Sequence, residues 1–508
     1  MDLSRSSDST SRIHGLSACV AVTLFAMLQL AWLHDPLGDS LDADIAAGYT
    51  LYSCRGEEAL PCSIHRGHWS LLAEKDGEVF VPYLHHPPLG LLLMEAVHDA
   101  GDGILPLRAA SCGLALALLA AFWLLLRRFE GWIASASVAL LATTGAMLAH
   151  GSQASPPLFG MALSVAAIAC WWWRGPGIAY GSVAFLAASA DWNAFGVVPA
   201  LWLAAAWKPE LRGKWLAAML RVTWPWLAGV LLLCWHMQDG AAEAGGLAEV
   251  FSVIDGTLGL QGRSLDQLLG QLGTHTWVLY GAPLVLCGMC GVVLALLSRA
   301  RQQGLTLEAL SLVLWTAALV PALVFLSRSA THPFWVLLFA PPLALSSVIA
   351  LRWLLACTGR ARPWLLGAAW LALCVHGVGI GARVREARAR PLQEQRLAVL
   401  SACTRPEDLI LFSDYASAFS MRALADRPVV VRMESREMLT RAARALRRHP
   451  LAGRVVLFIP TADMERMTWV LHIRGLAEKS GASEIDWPGT GKLLLLTLDR
   501  DRFRALGE

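Results

Sequence analysis

At 508 residues the chain has the length of roughly three average soluble domains, but its content of 56% apolar and 16% charged residues excludes that reading. Ordinary globular proteins carry about 25% charged residues, so with a mean hydropathy of +0.50 this chain has too little polar surface to wrap its apolar content. A bilayer must act as its solvent. The net charge of +3 excludes a nucleic-acid binder driven by bulk basicity. The 22 tryptophans suit aromatic belts at a membrane interface.

In chain order, the first apolar run, Leu16 to Leu33, follows Arg5 and Arg12 and lacks a small-x-small cleavage site. It reads as an uncleaved anchor. Further spans are expected over Leu105 to Leu126, Trp132 to Leu148, Pro157 to Trp173, Ile178 to Ala190 and Phe195 to Trp207. Val222 to Met237, Trp277 to Leu297, Leu305 to Leu326, Phe334 to Leu355 and Trp364 to Ile380 complete about eleven helices. Asp191, between two of the shorter ones, reads as a re-entrant or interfacial turn. With the N-terminus inside, the inner connections hold fourteen Lys and Arg, and the outer ones six: Arg55, Arg66, Lys75, Arg108, Arg263 and Arg328. That asymmetry sets the sidedness. Arg383, Arg385, Arg388 and Arg390 then follow the last span on the outer side, against the rule.

The expected organisation is a multi-pass α-helical membrane domain over residues 1–383, with an outer loop at 34–104, and a small soluble α/β domain over 384–508. In the latter, DLILF, RPVVVRM, RVVLFIP and KLLLLTL alternate with stretches such as SREMLTRAARALRRH. Short buried strands between helices predict a parallel sheet, placed outside the membrane. It carries neither GxGxxG nor GxxxxGK[ST], so no nucleotide site is expected. Cys287 and Cys290 form a CxxC inside a span with no second pair, which does not make a zinc site. Cys54 and Cys62 share the polar outer loop, where an oxidising compartment would allow a disulfide.

The outer loop holds the chemistry. Asp39, Asp42 and Asp44 fall within six residues just beyond the first span. By themselves they read as an acidic loop in which Asp39 or Ser40 caps the helix DADIAAGYTLY. Further on, YLHHPPLG covers Tyr83 to Gly90. Pro87 and Pro88 force extended backbone through His86 and lead into an interfacial helix over Leu89 to Val97. His85 and His86 alone read as a polar turn, and Arg108 as a snorkelling residue opening the second span.

Taken in that order, the acidic cluster, the aromatic-x-x-His-Pro-Pro-Leu turn, the amphipathic helix and the opening Arg resemble the GT-C membrane glycosyltransferases. The likeness is to the dolichyl-phosphate-mannose–protein mannosyltransferase family and its bacterial relatives, which include the lipid A aminoarabinose transferase. It spans residues 1 to about 380, including a late outer turn running into SRSATHPFWVLLFAPPLAL. The resemblance implies a transferase that moves a sugar from a polyprenyl-phosphate donor to a lipid, glycan or protein acceptor at the outer face of the cell membrane.

Such a donor carries its own leaving group, so no cofactor is expected, although three neighbouring Asp could ligate a divalent metal. The reaction needs one carboxylate as base and cations for the departing phosphate. A single displacement inverts the anomeric centre. What the resemblance then implies is Asp39 as base, with Asp42 and Asp44 as alternatives. His85, His86, Arg108, Arg328 and His332 become donor-phosphate partners. Three departures stand out: Asp39-Ser40 replaces an Asp-acidic pair, His86 stands where the aminoarabinose branch often has Lys, and His150 to Pro157 has no carboxylate. The rival reading is a transporter or lipid flippase, to which Asp191 alone points.

The sidedness is testable. Reporter fusions at residues 70 and 450 should both register as external, and an internal signal at 450 would mean that the span count is off by one.

Overall fold

The computed structural model describes residues 6–33, 105–152, 156–243, 264–299, 305–357, 362–388, 392–405, 408–412, 454–460, 482–488 and 491–498, with short pieces inside 73–97 and at 429–430. Helix α1 covers Ser6–Ala31 and α2 covers Leu105–Leu126. Between them the described pieces are a small antiparallel pair, β1 (Ala73–Lys75) and β2 (Glu78–Phe80), and helical residues at 89–90, 93 and 96–97. Next come α3 (Gly131–Thr143), α4 (Gly145–His150), α5 (Pro156–Arg174) and α6 (Ile178–Ala190). A 3-10 turn over Trp192–Gly196 enters α7 (Val197–Ala206), and α8 covers Trp215–Glu243. Helices α9 (Leu265–Arg299), α10 (Leu307–Val324), α11 (Leu326–Thr331), α12 (Ala340–Cys357) and α13 (Arg362–Arg388) finish the bundle.

Among the described residues, six helical stretches are long and apolar enough to cross a membrane: Leu105–Leu126, Trp215–Trp235, Leu265–Ser298, Leu307–Val324, Pro333–Cys357 and Trp364–Glu386. Shorter apolar helices run over Ala18–Ala31, Gly131–Thr143, Ile178–Ala190 and Trp192–Ala206. The expectation of about eleven spans treated each apolar run as one continuous helix, and some are broken. Thr144 adopts extended backbone (φ −62°, ψ 142°), and its side chain accepts from the Met147 N–H, so α3 ends and α4 restarts there.

Without a hydrophobic force between helices in lipid, close packing and interhelical hydrogen bonds must hold the bundle. Helix α9 lies along α12, and a Cβ on Gly291 would overlap the Ser346 carbonyl. Ser346 Oγ also takes the Trp315 indole N–H at 2.8 Å and pairs with Ser311 at 2.8 Å. Tyr180 donates to the Val222 carbonyl at 2.8 Å and accepts from Trp226 at 3.0 Å, joining α6 to α8. Gly281, at φ 73°, breaks α9 where a Cβ would strike the His376 ring.

The two ends of the bundle differ. At one, Arg128 lies 5.0 Å over the Trp173 ring, Lys208 4.3 Å over Trp171, and Arg352 pairs with Glu130 and Glu308. Leu33 and Arg108, on either side of residues 34–104 in sequence, meet at the opposite end. The last helix, α13, finishes at that same end, because Arg385 reaches the Trp32 carbonyl just past α1.

Beyond α13, α14 (Leu392–Cys403) packs on a five-stranded sheet of β3 (Leu409–Phe412), β4 (Val429–Val430), β5 (Val455–Pro460), β6 (Ala482–Trp487) and β7 (Gly491–Leu498). The order is β4-β3-β5-β7-β6. Pairs β3/β4 and β3/β5 are parallel, but β5/β7 and β6/β7 are antiparallel, so the sheet is mixed rather than parallel. The cause is local: Gly491, at φ 88°, pairs with Trp487 and turns β6 straight back into β7. Leu400 of α14 joins Ile410, Phe412, Val456, Phe458 and Trp487 in the core. Asp408 opens β3, fully buried, and accepts from Arg405 N (2.8 Å), Arg454 N (3.2 Å) and Arg454 Nη2 (2.9 Å).

Burial pushes the Asp408 carboxyl up, but its bonds from Arg454 and two backbone N–H groups, with the Arg454 charge, outweigh that and hold it below the usual carboxylate range. A depressed carboxyl stabilises above its ordinary value, and that contribution is lost as pH falls through the folded one. Protection factors of the amides in strands β3 and β5, taken against the intrinsic exchange rate at each pH, should therefore fall once pH drops below about 4. Asp408→Asn should lower their protection at neutral pH by about 1.5–3 kcal/mol and remove the acid step. Unchanged exchange in the variant would show that the buried pair does not stabilise the sheet.

Candidate functional site

The site is built outward from the place where the first helix leaves the bundle. The last carbonyls of a helix lack intrahelical donors and carry the negative end of its dipole. Here α1 closes in a turn, with Trp32 N donating to Gln29 O at 3.1 Å. Pro36, soon after, cannot continue a helix. Arg108, buried in the first turn of α2, donates Nη1 to the Leu33 carbonyl at 2.9 Å. Arg385, half-buried near the end of α13, donates Nη2 to the Trp32 carbonyl at 2.6 Å, with Cζ 4.1 Å from the Trp32 ring centre. Two guanidinium groups thus hold successive carbonyls. One turn back, Gln29 Nε2 donates to Leu148 O at 3.2 Å and ties α1 to α4.

A second group lies where α5 begins and α6 ends. Asp191, fully buried, accepts from Asn193 N at 3.0 Å through Oδ1, which caps the 3-10 turn. Asn193 Nδ2 donates to the Pro157 carbonyl at 2.9 Å. Gly160 on α5 packs flush against both side chains, with no room for a Cβ. A Cβ on Gly90 would sit 2.8 Å from the Ala190 carbonyl, so the helical piece at 89–90 rests on the end of α6 beside Asp191.

The third group is the junction between α10 and α12. His332 precedes the 3-10 stretch Pro333–Phe339, and its ring stacks on Phe334 at 5.4 Å. His275 on α9 contacts the Ala330 carbonyl through Nε2 at 2.9 Å. Phe325 bridges Trp335 (5.7 Å) and Trp192 (6.1 Å), linking this junction to the second group.

Of the residues expected from sequence, Asp39, Asp42, Asp44, His85 and His86 lie outside the described residues, as do Cys54 and Cys62. Arg328 belongs to α11, and its side chain is likewise outside them. Arg108 and His332 are described and do not meet the same group: Arg108 holds the Leu33 carbonyl beyond α1, and His332 stacks on Phe334. Sequence reasoning did not single out Arg385 or His275 for the site. Arg385 left a signal, since it is a charge on the disfavoured side. His275 left none.

No protein-family model and no curated protein matches the chain. Among solved structures it is similar to ArnT, the lipid A aminoarabinose transferase, from Cupriavidus metallidurans bound to undecaprenyl phosphate. The TM-score is 0.59 at 12% identity, covering 95% of this chain and 97% of that one. The apo state of ArnT gives 0.55 at 13% identity over 96% and 98%. The oligosaccharyltransferase of Archaeoglobus fulgidus in its apo form gives 0.53 at 12% identity over 88% and 70%. Both neighbours are GT-C glycosyltransferases. Likeness at such identity concerns the fold.

Proposed function

We propose, from the GT-C fold as premise, that this chain is a membrane glycosyltransferase using a polyprenyl-phosphate sugar as donor. The observation that carries the reading is the match over 95% of the chain to a transferase holding undecaprenyl phosphate. The cations at the end of the bundle where residues 34–104 leave support it. In the proposed reaction an acceptor hydroxyl or amine on a lipid, glycan or protein attacks the anomeric carbon from the face opposite the phosphate. The bond from that carbon to the phosphate oxygen breaks, and the electron pair leaves with the polyprenyl phosphate. A carboxylate takes the acceptor's proton. The product is inverted at the anomeric carbon.

In this reading Asp39 is the base, followed by Asp42 and Asp44 as alternatives. His85, His86, Arg328 and His332 meet the donor phosphate, where charge builds as the bond breaks. Arg108 has a second role: its Nη1 already holds the Leu33 carbonyl, which fixes where the acidic segment begins. We further assign loop 34–104 and residues 384–508 to the outer side of the cell membrane.

The test is a transfer assay on Asp39→Asn, Asp42→Asn, Asp44→Asn and His86→Ala in folded protein. Loss of the base should lower turnover by about 10²–10⁴-fold with donor binding largely kept. His86→Ala should weaken donor binding and turnover together. Near-normal turnover in all three Asn variants would reduce the acidic cluster to a helix cap and refute the mechanism.

A further inference from the structure

Four arginines, Arg383, Arg385, Arg388 and Arg390, stand against the charge asymmetry of the rest of the chain. Arg383 turns back on its own helix, Nε to Gly379 O at 3.2 Å, and is exposed. Arg385 does something else. Its guanidinium both donates to the Trp32 carbonyl and stacks over the Trp32 ring, at the residue next to the one that Arg108 holds. A planar guanidinium does both with its face on the ring and its edge toward the carbonyl, a geometry that a compact lysine ammonium does not reproduce.

We infer that Arg385 is a positioning residue for the proposed transfer site, clamping the exit of α1 together with Arg108 so that the acidic segment starts from a fixed point. The inference rests on the function proposed above. Asp39 lies six residues beyond Leu33 in sequence, so this exit is the described anchor nearest to the acidic segment. The clamp is mounted on a rigid element. Gly377 packs against the Thr143 carbonyl and Gly381 against Leu148, so α13 lies flush on α3 and α4 with no room for a Cβ at either glycine. Gln29 binds the carbonyl of that same Leu148. Arg385, α4 and α1 therefore form one closed set of contacts around the exit, and it is made by residues far apart in sequence.

The test uses the full chain in lipid nanodiscs, with Arg385→Ala, Arg385→Lys, Trp32→Leu and the neighbour Arg383→Ala. Two readouts are taken: hydrogen exchange of the amides at 30–33, and the kinetics of transfer. Arg385→Ala should speed exchange there by about tenfold or more. It should lower kcat by about 10–100-fold while KM for the donor stays within about threefold. Arg385→Lys should recover only part of both, and Arg383→Ala should match the wild type. If Arg385→Ala does not fold, Trp32→Leu must show the same gain in exchange. Wild-type exchange in both Arg385→Ala and Trp32→Leu overturns the clamp. A rise in donor KM with kcat unchanged also overturns it, because Arg385 would then bind the donor itself. If the wild-type chain transfers from no donor, the proposed function fails, and the exchange readout alone decides the clamp.

Discussion

Just past the end of α1 the chain presents the Trp32 and Leu33 carbonyls, which no helix supplies with donors, and here Arg385 and Arg108 supply them. The pair satisfies a local requirement and also joins three helices that are far apart in sequence. Both guanidinium groups lie where the negative end of α1 favours positive charge. A bonded cation at that point costs less to hold at the bilayer edge than an isolated one. The rest of the candidate site gathers at the same end: the start of α5, where Asn193 Nδ2 donates to the Pro157 carbonyl, the turn at Asp191 and the aromatic junction around Phe325.

The opposite end has a different logic. There cations lie on indole faces, Lys208 on Trp171 and Arg128 on Trp173, and Arg352 links the start of α3 to the start of α10 through Glu130 and Glu308. Those contacts suit a headgroup boundary, where aromatic rings and basic side chains anchor helices. One end of the bundle is thus braced by charge on aromatic faces. The other is braced by charge on the backbone carbonyls of Trp32 and Leu33.

The helices were largely legible in the sequence because apolar runs bounded by Arg, Lys and Trp are a strong signal. Leu105–Leu126 and Ile178–Ala190 were placed to the residue. The break at Thr144 was not, since it depends on one side chain capping Met147 and composition is blind to that. The mixed sheet was missed for a related reason. ASEIDW alternates polar and apolar residues at the sheet's margin and lacks the long apolar run that marked DLILF and RVVLFIP. Arg108 was found as a residue of interest from its place at the head of α2, but its carbonyl partner comes from tertiary structure. Arg385 is visible in the sequence as an anomaly of charge, but its contact with the Trp32 carbonyl depends on α1 and α13 lying side by side.

The central claim is that this fold serves transfer from a lipid-linked sugar, and the most direct measurement supplies purified protein with a panel of radiolabelled polyprenyl-phosphate sugars and a membrane-lipid acceptor extract. The account predicts that at least one donor loses its sugar to an acceptor, with free polyprenyl phosphate released in equal amount and the anomeric configuration inverted. Movement of intact donor across vesicles with no glycosidic bond cleaved would contradict it and favour a flippase.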